Sequence, residues 1–269
     1  MRTPQTTYTH GHGAAVLASH SHRRAADSAA YLLPHLRAGL DLLDVGCGPA
    51  TITADLARAV APGRVVGLDG APAALVAAGA TLAAQGLEDA VELVAGDIHE
   101  LPFADGSFDV VHAHQVLQHV ADPVAAAREM RRVTRPGGLV AARDAVYSAM
   151  TWYPRPAGME AWRETYMATA RANSGEPDAG AMLLSWFRAA GMTSVEATAS
   201  SGCYATGEDR QWWGSTWAER CLTSFGPQAR RLGLADDEGL RAVVEAWRQW
   251  AAAEDGWFAV LHGEVLARV

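Results

Sequence analysis

Lysine is absent from this chain of 269 residues, so every fixed side-chain cation is one of its 22 arginine-or-lysine positions read as arginine. Against 30 acidic residues the formal charge is −8. That balance excludes broad binding to a phosphate backbone, although a local basic patch is compatible with it. Cysteine is scarce: Cys47, Cys203 and Cys221 are odd in number and lack CxxC spacing. Neither a disulfide framework nor a zinc knuckle is expected. No apolar run reaches the roughly 18 residues needed to span a bilayer. The start, Met1-Arg2-Thr3-Pro4-Gln5, has no apolar signal region. A cytoplasmic location and no membrane partner are expected. Internal repeats and low-complexity tracts are also missing.

What is present is strand punctuation. Leu42-Leu43-Asp44-Val45 runs into Gly46-Cys47-Gly48-Pro49-Ala50. An apolar run that ends in two closely spaced glycines predicts a buried strand and a tight turn, with a helix from Thr51. Ile52, Leu56, Ala59 and Val60 then share a helical face. Similar units follow. Arg64–Leu68 ends at Asp69. Pro72 opens a helix with Leu75, Ala78, Gly79 and Leu82 inward. Val91–Val94 precedes Gly96-Asp97, and Phe108–His112 is a fourth strand. Asp122-Pro123 caps a helix that ends near Thr134, Arg135–Gly138 forms a turn, and Leu139–Ala142 is a fifth strand. Upstream, residues 23–38 place Ala29, Leu32, Leu33 and Leu36 at helical spacing.

Strands that alternate with helices predict an α/β fold with a parallel sheet covered on both faces. After Asp144 the rhythm changes. Residues 145–175 are rich in Trp, Tyr, Met and Pro. A helix near 178–190 and a strand near 193–199 resume the sheet. Residues 203–255 make a second excursion with one clear helix, carrying Leu240, Val243, Val244 and Trp247. Trp257–Ala267 is apolar on both alternating faces, as an interior strand should be.

In open α/β sheets ligands bind outside the carboxyl ends of the strands, where the strand order reverses. Asp44, Asp69, Asp97 and His114 all fall at or just after such ends. The ordered set LLDVGCGPA (42–50), VVGLD (65–69), GDIHELPF (96–103), FDVVHAHQVLQHV (108–120) and RPGGLV (135–140) resembles the class I S-adenosylmethionine-dependent methyltransferases of the ubiquinone/menaquinone-biosynthesis type. The resemblance covers residues 40–144. It implies a Rossmann-like, doubly wound, seven-stranded sheet whose last strand runs antiparallel, beside 193–199. A mostly helical cap would come from the insertions after strand five and between the last two strands. The whole chain, 1–269, would be one methyltransferase domain. Its parts would be an N-terminal lid and helix (1–38), a cofactor-binding core (39–144), cap and substrate segments (145–180 and 203–255), and sheet-completing segments (181–202 and 256–269).

The resemblance further implies S-adenosylmethionine as cofactor, leaving as S-adenosylhomocysteine. Gly46 and Gly48 would allow close approach, Asp69 would take the ribose hydroxyls, Asp97 the adenine amine, and Asp44 would lie near the methionine end. Cys47, Thr51, Gly70, Ile98, His114 and Gln115 complete the expected cofactor contacts, with Tyr8 from a lid formed by Tyr8 through His22. Ala50 departs from the family, which often has glycine there. Cys47 is expected to be a packing residue.

The reaction expected is in-line transfer of a methyl group to an O, N, C or S nucleophile of a small apolar or aromatic molecule, as in secondary metabolism. His119 and His114 are the candidate general bases. His119 would share a helical face with Gln115. Asp144, beside Arg143, is read as a structural ion pair. Trp152, Tyr153, Trp162, Tyr166, Trp212, Trp213 and Trp217 are divided between helix packing and a pocket roof.

Two alternatives stay open on the residues: an S-adenosylmethionine-binding protein without turnover, and a nicotinamide-dependent oxidoreductase. The second needs G-x-G-x-x-G, and here Thr51 occupies the third position. Nucleic-acid methylation is disfavoured. No Pro-Cys pair offers a thiolate, and His112-Ala113-His114-Gln115 is not a proline-and-aromatic motif. His10, His12, His20 and His22 match no zinc spacing, so no metal is expected. The molecule is expected to act as a monomer or homodimer.

Overall fold

The computed structural model of the protein describes Thr9 and residues 23–269. The chain enters through a four-residue helix, α1 (Ala25–Ser28), and a 3-10 turn at Leu33–His35. The expected helix over 23–38 is therefore broken. Pro34 lacks an amide donor and its ring crowds the preceding turn, so the apolar residues Ala29 and Leu32 are buried by short pieces instead.

The alternating units then appear in order: β1 (Leu42–Val45), α2 (Thr51–Val60), β2 (Val65–Asp69), α3 (Pro72–Ala84), β3 (Val91–Ala95), β4 (Phe108–His114), α4 (Pro123–Val133) and β5 (Thr134–Ala145). As the sequence implies, Asp122 caps α4 by accepting from the Ala125 amide at 2.8 Å, with Pro123 next to it. β4 runs two residues further than its apolar run suggests. β5 starts at Thr134, and Arg135–Gly138 is an irregularity inside it, because the register with β4 jumps from Phe108–Thr134 to Val110–Leu139. Ala59, placed on the inner face of α2 by spacing, is exposed.

Strand order is β3-β2-β1-β4-β5 in parallel, followed by β8 (Trp257–Arg268) antiparallel to β5. β7 (Ser194–Tyr204) lies beyond β8 as the edge strand. It ends five residues later than the sequence suggests, so all of β7 pairs with β8. A short β6 (Thr151–Tyr153) pairs with Trp257–Ala259 and continues the side of β8 that β5 occupies lower down. Seven strand positions thus become eight strands.

Neighbouring residues of β1 go to opposite layers. Leu42 joins the core under α1, α2 and α3, while Leu43 joins the core under α4 and α6 (Ala179–Ala189). A third core belongs to the cap, built from α5 (Met159–Ala172), α7 (Gly207–Thr223), α8 (Phe225–Arg231) and α9 (Asp237–Ala252). The second excursion therefore holds three helices, two more than the pattern shows. Trp152, Trp162, Trp217, Trp247 and Trp250 are all buried here in edge-to-face and stacked contacts; Trp162 lies 4.7 Å from both Trp217 and Trp247. These indoles build the cap rather than roof a cavity. Trp212 and Trp213 remain half-buried. Among the described residues no helix is long and apolar enough to cross a membrane.

Candidate active site

The strand order turns at β1 and β4, and the β1 turn opens there. Gly46 has φ +67, and a Cβ on it would collide with the Val116 side chain, so glycine is required twice over. Gly48 (φ +54) and Ala50 (φ 59) are also left-handed. For Ala50 this is a conformation that glycine, which the resemblance leads one to expect there, adopts without strain. The turn is tied to β2: the amides of Gly46 and Cys47 both donate to the Leu68 carbonyl.

Asp69 ends β2 half-buried. One of its oxygens accepts from the Gly48 amide at 3.0 Å, the other from the Ala71 amide at 2.9 Å. Each carboxylate oxygen keeps a second lone pair, so the group is fixed in place yet still able to accept two hydroxyl donors. Gly70 beside it is exposed, with only the Gly96 carbonyl facing its missing side chain. Asp97, after β3, is exposed. Partial burial opposes its ionisation, but hydrogen bonds from the His99 amide and ring, both at 2.9 Å, outweigh this and lower its pKa. The Ile98 side chain is turned into the core, which leaves its backbone for any ligand contact.

Three further expected contacts are buried. Asp44 is 3% exposed, with one oxygen 2.8 Å from His112 Nδ1 and the other accepting from the Thr53 hydroxyl at 2.5 Å. It braces the turn from behind. Cys47 is buried against Gly67, and burial pushes its thiol pKa up, which fits a packing role. Thr51 opens α2 and is buried. Tyr8, and the histidines at 10, 12, 20 and 22, lie outside the described residues. Of the expected lid only Thr9 is described; Asn173 and Gln228 in the cap donate to its hydroxyl and carbonyl, each at 3.0 Å.

Beyond β4 the structure corrects the helical reading. Gln115 is left-handed (φ 55) and only a 3-10 turn follows, Leu117–His119. His119 therefore does not share a helix face with Gln115. Its Nε2 lies 2.9 Å from the Gln118 amide nitrogen. His114 is 7% exposed. Burial, then the charges of Arg23 and Arg143, depress its pKa well below the usual imidazole range, so it is neutral. Its Nδ1 has no hydrogen-bond partner among the described residues.

One face of the sheet here carries a polar row that the sequence conceals. His114 is in register with Arg143, Arg143 with Glu264, and Ser200 with His262. The Arg143 guanidinium donates to Glu264 at 3.1 Å and to the Ser200 hydroxyl, and Thr198 donates to Glu264 at 2.9 Å. Asp144 is thus not the partner of Arg143. Adjacent strand residues point to opposite faces, so Asp144 turns away and accepts from the Gln118 amide at 3.2 Å. It is fully buried, and burial raises its pKa to about 8. Its Oδ2 and the Gln118 Oε1 have no partner among the described residues.

Arg23 fixes the orientation of this row. Its guanidinium can only donate, so the Gln115 oxygen faces it, at 2.6 Å. The Gln115 nitrogen then donates to His262 Nε2 at 2.9 Å, which leaves the imidazole hydrogen on Nδ1. His262 and Glu264 escape an apolarity count of β8. The available signal is a His and a Glu two residues apart in an otherwise apolar strand. Among the described residues no cluster of His, Cys, Asp and Glu could hold a metal.

Known proteins similar to this chain include methyltransferases. Residues 43–142 match the model of a methyltransferase domain. An uncharacterized methyltransferase of Schizosaccharomyces pombe is 31% identical, covering 98% of this chain and 97% of its own length. A demethylmenaquinone methyltransferase of Geobacillus stearothermophilus is 42% identical over 106 residues, 39% of this chain and 45% of that protein. Among solved structures, the [4+2]-cyclase SpnF has a TM-score of 0.53 and 26% identity, covering 91% of this chain and 81% of that one. The chain belongs to the class I S-adenosylmethionine-dependent methyltransferases.

Proposed function

We propose that the protein methylates a small molecule seated where β4, β5 and β7 end beneath the cap, with His114 as the base. The observation that carries this reading is a pair of buried ring nitrogens without partners among the described residues, His114 Nδ1 and His262 Nδ1, on rings whose centroids lie 6.4 Å apart. Buried polar atoms are normally satisfied, so such a pair suits a ligand that supplies the missing hydrogen bonds. Trp152, Trp162, Trp217, Trp247 and Trp250 are spent on cap packing, so polar groups take a larger share in recognising the acceptor.

The cofactor residues fit the group they are to hold. Asp69 has spare acceptor capacity for ribose hydroxyls, Asp97 is an ionised and exposed acceptor for the adenine amine, and Gly46, Gly48 and Gly70 present backbone without side chains. The first turn of α2 offers amides for a carboxylate. When bound, S-adenosylmethionine supplies an electrophilic methyl group on a sulfonium.

The chain itself aligns the acceptor, excludes water with the cap, and takes a proton on the His114 imidazole. His119 is less suited, because its Nε2 is engaged by Gln118. Since the His114 pKa is depressed, the base is ready at neutral pH and is lost only in acid. The test is incubation with methyl-labelled cofactor and a small-molecule extract, read by mass spectrometry. Label in a small product, with a large drop in turnover for His114→Gln and unchanged S-adenosylhomocysteine affinity, supports the reading. Label confined to protein or nucleic acid refutes it.

A further inference from the structure

We propose that the group methylated is a hydroxyl held between His114 and His262, and that Gln115 is the positioning residue that makes His262 a donor toward it. The inference rests on the acceptor position argued above and adds the atom that receives the methyl group.

Distances tie these side chains together. The ring centroids of His114 and His262 lie 6.4 Å apart, with the planes 29° from parallel. Both residues are buried, and neither Nδ1 has a hydrogen-bond partner among the described residues. Two hydrogen bonds of about 2.8 Å to one oxygen bring their nitrogens to about 4.6 Å apart, a spacing that rings at this separation can present.

Gln115 decides which nitrogen of His262 carries hydrogen. Its backbone sits at φ 55, and its amide donates to the Arg143 carbonyl at 2.7 Å. Arg23 donates to its side-chain oxygen at 2.6 Å, so its nitrogen donates to His262 Nε2 at 2.9 Å. Burial, then the charges of Arg143 and Arg23, keep the His262 ring neutral; the Val260 carbonyl opposes them without reaching hydrogen-bond geometry. The single ring hydrogen is therefore on Nδ1, which donates. His114 Nδ1, as the base, accepts.

A donor and an acceptor brought together in this way fit a hydroxyl. Its hydrogen goes to His114, one lone pair accepts from His262, and the second lone pair is left for attack. A neutral amine has a single lone pair, which the His262 donor would occupy. A carbon nucleophile offers no acceptor, and a thiol is both a weak donor and a weak acceptor. In the reaction, the free lone pair forms the oxygen–carbon bond and the hydroxyl proton passes to His114 Nδ1. The electrons of the breaking carbon–sulfur bond stay on sulfur. The products are a methyl ether and S-adenosylhomocysteine.

Two measurements on the full chain test this. The first is nitrogen NMR of protein carrying isotope-labelled histidine, with His262 assigned by the signal missing from His262→Asn. At neutral pH its hydrogen should be on Nδ1. Gln115→Glu keeps the contact with Arg23 but presents only acceptors, so the hydrogen should move to Nε2. Hydrogen on Nε2 of the unmodified protein overturns the proposal, as does hydrogen that stays on Nδ1 in Gln115→Glu.

The second is the position of the label after incubation with methyl-labelled S-adenosylmethionine and a small-molecule extract, read by carbon NMR of the product. Label bonded to oxygen is expected. Turnover of Gln115→Glu should be about tenfold lower, the loss of one hydrogen bond of about 1.4 kcal/mol, and Gln115→Met, which imposes neither tautomer, should be impaired less. A purely structural Gln115 would reverse that order, since glutamate keeps the bridge to Arg23, and the reversed order overturns its role. Label on nitrogen, carbon or sulfur overturns the proposal and leaves the acceptor position standing. Absence of any small labelled product refutes that position, and the proposal falls with it.

Discussion

Glu264→Gln tests whether the polar row is dry. Arg143 and Glu264 are each 6% exposed at the side chain, and Glu264 also accepts from Thr198 and Ser200. The glutamine keeps the volume and one acceptor, but removes the charge opposite a buried guanidinium. Breaking a buried pair on one side costs about 3–5 kcal/mol, because the surviving charge is left without compensation. The retained hydroxyl contacts favour the low end. An unfolding entropy of about 2.1 cal/mol/K per residue, over 269 residues, gives roughly 0.56 kcal/mol/K. The melting temperature should therefore fall by about 5–9 °C, as measured by scanning calorimetry at neutral pH. The double variant Arg143→Met with Glu264→Leu should regain more than half of the loss, since it removes both desolvation penalties. A fall below about 2 °C for Glu264→Gln would refute the reasoning. It would mean that Arg143 is hydrated and that water fills the row.

Other outcomes follow from the same geometry. The folded pKa of Asp144, about 8, lies above its unfolded value, so the native state holds the proton more tightly. This stability is fully present below about pH 4 and is lost as pH rises to about 8; the melting temperature should fall across that range and level off above it, and Asp144→Asn should flatten that slope. Asp69→Asn should weaken S-adenosylhomocysteine binding by about tenfold or more, since a charge-assisted hydrogen bond contributes about 1.5–3 kcal/mol; unchanged calorimetric affinity would remove Asp69 from the site. Ala50→Gly relieves left-handed strain of about 1–2 kcal/mol. It also removes a buried methyl worth about 0.8 kcal/mol and loosens the unfolded chain by about 0.4–1 kcal/mol. These terms nearly cancel, so the melting point should stay within about 2 °C.

The cofactor half was legible because its signals are local. Apolar runs such as Leu42–Val45 and Val65–Leu68 end at glycine or aspartate, and Pro72 and Pro123 start helices where expected. Local reading failed where long-range partners decide. β7 reaches Tyr204 because β8 offers eleven consecutive partners to residues with little strand signal of their own, such as Ser200, Ser201 and Gly202. α7 was missed because its buried side mixes Gly214, Thr216, Trp217 and Arg220, a weak stripe that only the surrounding aromatic rings make coherent. The polar row is further from local detection still. Arg143 and Glu264 stand 121 positions apart, and the bridge from Arg23 through Gln115 to His262 draws on three separate segments.

The placement of β8 also sets an order of events during synthesis. β1 to β5 lie between Leu42 and Ala145 and leave the ribosome before β7 and β8. The strand carrying His262 and Glu264 is made after both β5 and β7 and must slide in between them. Domains fold as units while the chain emerges. A nascent molecule can thus assemble β1 to β5 while the edges of β5 and β7 are still unjoined, and the polar row of Arg143, Glu264 and His262 closes only once β8 is in place.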